Sequence, residues 1–413
     1  MRSWCAILVL LLGAAPAWGQ RITLPLGGYF RPGQYMPVRV EGMAGTAQVR
    51  VEATAAMPVE VRRAEGQVIV PLLVYEPGLT DLRASDGERT VTCDQPLRAL
   101  LPSQKLVGVT VDRLPRELFY GTHAIRVELD GDDPLPGSAM AWASLDGLIV
   151  DPAAYARIAP QTIDALLAAG TIVAVRSDQP PDARPWEGRD GWQVLAGPRI
   201  GPAGAELVES AYLPTYGWSP GWPGGVRRMV ALIGVVGGLL AVGGAMLGWR
   251  AGVTAVVVVA GLIGGAAVVL RTTYQPVFEM RGWAMIEHST LPRVEEWSYQ
   301  KSLRSGQFAY LVREPTWPIW ASRSHREAVA MVLRVDGRGA PQAMVYTLPA
   351  GGSVALLSKR LTSANQPAAP LPEVHQPASP RFDAMLRRVY RGARLALPTH
   401  GGIAHLAVPD GAK

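Results

Sequence analysis

Between Met229 and Leu270 the chain carries two apolar runs, Met229 to Gly248 and Ala251 to Leu270, separated only by Trp249 and Arg250. Neither run contains a charged residue, and each has the roughly 20 residues that a helix needs to cross about 30 Å of hydrocarbon. This feature constrains the fold more than any other. It predicts two transmembrane helices, 229–248 and 251–270, in an antiparallel hairpin that places the chain before it and the chain after it on one side. Tyr212, Tyr216, Trp218 and Trp222 lead into the hairpin and Tyr274 follows it, where amphipathic rings favour a membrane interface. Gly234 and Gly238, Gly244 and Gly248, and Gly261 and Gly265 are each four apart. That spacing allows close helix packing, either within the hairpin or against a partner's membrane helix. With no Asp, Glu, Lys or His in either run, no ion pathway is expected through them. Composition agrees: only 18% of the 413 residues are charged, below the roughly 25% of an ordinary domain.

The first 19 residues have the form of a secretory signal. Arg2 supplies the positive start, Cys5 to Ala15 a short apolar stretch, and Ala17-Trp18-Gly19 a small-x-small cleavage site. The expected location is therefore the bacterial cytoplasmic membrane, with the N- and C-terminal domains on the periplasmic or extracellular side. Arg227, Arg228 and Arg271 flank the hairpin on that side against Arg250 alone at its turn, the reverse of the usual bias of positive residues towards the inside. The signal peptide, acting first, takes precedence in this reading. The net charge of +6 comes from basic residues scattered singly. This excludes a nucleic-acid footprint and leaves membrane lipid and an envelope protein as the expected partners.

Around the hairpin the pattern divides the chain. Residues 20–101 show short alternating runs (Met36 to Glu41, Thr46 to Ala53, Gln67 to Tyr75, Arg89 to Cys93) typical of a β-sandwich. Residues 102–210 alternate apolar strands with a helical stretch, Pro160 to Ala169, closed by Gly170. That alternation predicts a small flavodoxin-like α/β domain. A juxtamembrane linker (211–228) leads to the hairpin. Beyond it follow a second β-rich domain (275–360), a Pro/Ala-rich linker (361–379) and an amphipathic, Arg-rich helix (380–392). The expected fold class is thus a multi-domain membrane protein: β-sandwich, α/β domain, transmembrane hairpin, β-rich domain.

The run Leu135-Pro136-Gly137 through Trp142-Ala143-Ser144-Leu145-Asp146-Gly147-Leu148-Ile149-Val150-Asp151, with Gly170-Thr171-Ile172-Val173-Ala174-Val175 after a helix, resembles the degenerate class I glutamine-amidotransferase-like domains of bacterial envelope proteins. The resemblance covers roughly residues 25 to 200 and implies the α/β fold. It does not extend to catalysis. Between Gln20 and Val226 Cys93 is the only cysteine and His123 the only histidine, and within the span of the resemblance, residues 25 to 200, no Gly-x-Cys-x-Gly or Gly-x-Ser-x-Gly elbow occurs.

The remaining constellations are weak. Ser177 lacks elbow glycines and reads as a loop serine. Asp130, Asp132 and Asp133 lack the glutamate of a calcium loop and read as an acidic turn. His288 and His325 have no spaced second ligand, Trp283, Trp297, Trp317 and Trp320 read as packing, and Cys93 reads as a buried thiol. No catalytic, cofactor or metal site is expected. Asp146 and Asp151, at the ends of an apolar strand, offer a ligand crevice of the kind α/β folds place at strand ends. The expected function is a non-catalytic, membrane-anchored scaffolding platform. The alternative is a divergent hydrolase or small-ligand sensor using that crevice.

Overall fold

The structure, a computed structural model, describes residues 21–42, 48–196 and 291–361 apart from scattered positions, helical stretches between 232 and 261, and the backbones of strands Val277–Glu287, Arg394–Thr399 and Gly402–Ala407. The expected signal peptide, both linkers, the amphipathic helix and His288 lie outside the described residues.

The two β regions do not stand apart. A seven-stranded sheet runs in the order Gly306–Leu311, Pro341–Leu348, Ala330–Val335, Val59–Arg62, Gln48–Glu52, Arg83–Ser85, Thr90–Thr92. Three of its strands come from the C-terminal region and four from the N-terminal region. The seam is the parallel pairing of Leu333, Arg334 and Val335 with Val59, Glu60 and Val61. Alternation sets the faces: in Gln48–Glu52, Val49 and Val51 are buried while Gln48 and Arg50 are exposed. A three-stranded sheet of Arg21–Thr23, Tyr35–Glu41 and Gln67–Leu73 shares one apolar core with it, in which Val38, Val70 and Val59 meet Leu333, Tyr346 and Leu356. Across this core the Tyr35 hydroxyl donates to the Thr316 carbonyl at 2.6 Å, and the Tyr35 ring lies 5.9 Å from that of Trp317.

The C-terminal region adds a six-stranded antiparallel sheet in the order Thr316–Ile319, Ser353–Leu361, Arg293–Ser302, Val277–Glu287, Arg394–Thr399, Gly402–Ala407. The helix Arg323–Ala328 closes back on the N-terminal region: Arg326 pairs with Glu76 and stacks on the Tyr75 ring.

Residues 104–196 form another six-stranded sheet, ordered His123–Glu128, Gln104–Val109, Gly147–Val150, Ile172–Val175, Trp192–Ala196, Glu187–Arg189. Its first four strands are parallel and the last two form an antiparallel hairpin. Short helices Pro152–Arg157 and Pro160–Ala169 pack on one face, where Ile163, Leu166 and Leu167 meet Leu148, Val173 and Leu195. The second helix ends at Gly170, whose φ of 99° permits the Thr171 amide to reach the Leu166 carbonyl at 3.0 Å. Val107, Val109, Ile149, Ala174 and Val194 form a separate cluster on the opposite face.

The expected fold class needs a correction. The chain is mostly β-sheet, and among the described residues no helix is long and apolar enough to cross a membrane. The two-helix transmembrane hairpin is therefore not supported, nor is the membrane class built on it. Apolar composition fixes hydropathy, not helical continuity. Six glycines fall within 229–248, each costing a helix interior about 1 kcal/mol relative to alanine. Among the described residues, a Cβ at Gly234, Gly238, Gly248 or Gly261 would meet no atom within 4 Å. Gly265 lies outside the described residues.

Candidate functional site

The strand Gly147–Val150 separates the two aspartates expected to share a crevice. At about 3.3 Å per residue, five steps place Asp146 and Asp151 roughly 17 Å apart, at opposite ends of the sheet. Asp146 accepts from Arg31 at 2.6 Å, Lys105 at 3.1 Å and the Leu106 amide at 2.9 Å. Arg31 also donates to the Gln104 carbonyl at 2.9 Å. Asp146 is thus a joint between the N-terminal β region and the parallel sheet.

Asp151 caps the helix Pro152–Arg157. Its Oδ1 accepts from the Ala153 and Ala154 amides, both at 2.9 Å, and its Oδ2 from the Thr110 hydroxyl at 3.0 Å. Burial pushes this carboxyl up, but the hydrogen bonds from Ala154, Thr110 and Ala153 outweigh it and hold the group below the usual range. Thr110 and Asp151 follow Gln104–Val109 and Gly147–Val150, where the strand order reverses and α/β sheets commonly take ligands. Their mutual hydrogen bonds fill that position.

A cavity of about 620 Å³ opens beside it, on the same carboxyl edge. The loop after Gln104–Val109 contributes Arg113, Pro115 and Leu118, the loop after Ile172–Val175 contributes Arg176, Ser177 and Asp178, and the final hairpin contributes Arg189, Asp190 and Trp192. Each loop is held. Arg126 donates to the carbonyls of Asp112 at 2.7 Å and Val111 at 2.9 Å. The Arg176 amide donates to the Val150 carbonyl at 3.1 Å. Downstream, Arg184 binds Asp164 at 2.8 Å and also Asp182, while Asp182 accepts from Tyr155 at 2.6 Å and Trp186 at 2.8 Å. Asp190 at φ 46° and Gly191 at φ 77° make the tight turn between Glu187–Arg189 and Trp192–Ala196. Trp192 also packs on the apolar cluster under the sheet.

Searches against family models, curated proteins and solved structures return no match. Chemistry must therefore be read from the groups themselves.

Ser177 is engaged locally: its hydroxyl donates to the Gln179 carbonyl at 2.7 Å and accepts from the Gln179 amide at 3.2 Å. Among the described residues no cysteine or histidine lines the cavity. Cys93 lies elsewhere, half-buried, and burial pushes its thiol up, away from nucleophilic thiolate. The His325 ring nitrogen lies 2.8 Å from the Ser353 carbonyl, and the ring stands edge-on to Trp320. Asp130 and Asp132 form a turn in which Asp130 accepts from the Asp132 amide and Asp132 accepts from Arg157. Among the described residues no group of three His, Cys, Asp or Glu could hold a metal. What the cavity offers is charge: among the described residues Arg113, Arg176, Asp178 and Asp190 carry no ion pair, whereas Arg189 binds Glu187 at 2.7 Å. Periodicity gave no sign of these residues, but the Asp190-Gly191 dipeptide before Trp192-Gln193-Val194-Leu195 is a hairpin signal that locates the last wall.

Proposed function

We propose that this chain is an exported, non-catalytic binding platform that works outside the cytoplasmic membrane by holding an envelope protein partner. The observation that carries the reading is the shared seven-stranded sheet, in which residues 330–335 complete the edge of residues 59–62. N- and C-terminal regions form one body, and the α/β unit is mounted on it. Arg31 ties it at Asp146, and Arg293 reaches the Ala168 carbonyl at 3.1 Å near the same amino edge of the sheet. Rigid mounting of this sheet suits presentation of a surface. A second reading, a small-ligand sensor in the α/β unit, is favoured by the cavity at the sheet's carboxyl edge.

A membrane-impermeant cleavable crosslinker applied to intact cells expressing the full chain tests the platform. The expected result is a discrete species containing the chain and one partner. A chain found only in the cytosol overturns the reading, as does hydrolysis of simple esters or amides that disappears in Ser177→Ala.

A further inference from the structure

The cavity at the carboxyl edge of the parallel sheet holds unpaired charges of both signs. Arg113 and Arg176 stand in it together with Asp178 and Asp190, and none of the four forms an ion pair among the described residues. Arg189, by contrast, pairs with Glu187 at 2.7 Å. The main chain that carries each of them is held. Arg126 fixes the carbonyls beside Arg113, the Val150 carbonyl fixes Arg176, and the Asp190-Gly191 turn fixes Asp190. Asp178 is tied by its carbonyl, which accepts from the Gln193 side chain at 3.3 Å. Two guanidinium groups and two carboxylates are therefore presented to solvent across an opening of about 620 Å³, within the range of small-ligand sites.

A simple anion entering this cleft meets Asp178 and Asp190, and a simple cation meets the two arginines. A ligand carrying both charges satisfies both pairs. Leu118, Pro115 and Trp192 supply apolar surface between them. We propose that the cleft binds a short peptide in its zwitterionic form, with the peptide carboxylate on Arg113 and Arg176 and its ammonium group on Asp178 and Asp190. Guanidinium groups suit the carboxylate because they can donate two parallel hydrogen bonds. The inference deepens the platform reading and rests on its non-catalytic character: the peptide is held, not cleaved.

Calorimetric titration of the full chain with trialanine, N-acetyl-trialanine and trialanine amide tests it. Trialanine is expected to bind, and blocking either end to weaken binding about tenfold or more, the effect of losing one charge-assisted contact. In Arg113→Gln/Arg176→Gln, trialanine and its amide should bind alike. In Asp178→Asn/Asp190→Asn, trialanine and its acetylated form should bind alike, and asparagine retains the turn because it tolerates positive φ. Absence of trialanine binding to the unmodified chain overturns the proposal, and so does indifference to both blocking groups, whatever the variants do. Mass spectrometry of the titrated peptide separates the two readings. Free alanine or dialanine appearing there sinks the non-catalytic platform while the end-blocking pattern still decides the cleft.

Discussion

At the scale of single residues, the side chains that matter most join regions instead of forming a reaction centre. Arg293 is 1% exposed and Glu295 0%, their charged groups 2.6 Å apart. Lys359 stands 3.8 Å from the same carboxylate, over the Trp317 ring. Arg293 also donates to the Ala168 carbonyl near the end of Pro160–Ala169, where the helix dipole favours a cation. Arg293→Met should leave Glu295 with only the more distant Lys359 and lower stability by about 3 kcal/mol, the lower end of the cost of breaking a buried pair from one side, measured by urea unfolding. Asp151 gives a pH-dependent counterpart. Its folded carboxyl titrates below its ordinary range, so its contribution is present above the unfolded pKa and lost as pH falls through the folded value. Asp151→Asn keeps a capping oxygen but removes that titration. Its melting temperature should fall less steeply than that of the unmodified chain as pH drops from about 5 to about 2.

At the scale of elements, glycines at one hairpin allow the C-terminal region to press on the N-terminal one. Gly339, at φ +85° in the turn between Ala330–Val335 and Pro341–Leu348, lies so close to the Ile69 carbonyl oxygen that a Cβ would stand 1.9 Å from it. Gly339→Ala is expected to lose at least about 1–2 kcal/mol from the positive φ alone and more from the clash. A thermal melt unchanged within about 1 °C is the contrary result. Local signals of this scale were readable in the sequence. Alternation marked Gln48–Glu52 and Gln67–Leu73, and Pro160 with Gly170 bracketed a helix. Other features were readable in part or not at all. Asp146 and Asp151 flank one apolar strand, and only its length shows that they face opposite ends of the sheet. The charged cavity draws on three loops far apart in sequence, so no local period could announce it. Hydropathy at 229–270 predicts two continuous spans, a continuity that glycine-rich composition does not guarantee.

At the scale of the whole molecule, the defining contact is between positions more than 270 apart in sequence, Leu333 on Val59 and Val335 on Val61. All four side chains are fully buried. Without residues 291–361 the edge Val59–Arg62 is unpaired, and Val59, Val61 and Tyr35 lose apolar neighbours such as Leu333 and Trp317. The α/β unit loses Leu291 from its core as well. Burying a large aliphatic side chain contributes about 1.5–3 kcal/mol, so several such losses are comparable with the roughly 5–15 kcal/mol by which a typical domain is stable. A chain ending at residue 210 should therefore show no cooperative thermal transition. Adding residues 275–413 as a separate chain should restore one, because the missing strands pair through backbone hydrogen bonds that do not need a covalent link. Hydrogen exchange at Val59, Glu60 and Val61 reads the same event directly: protection in the two-fragment complex, none in the N-terminal fragment alone. Strong protection of those amides in the isolated fragment would show that the N-terminal strands close without the C-terminal region, and the single-body architecture would then fail.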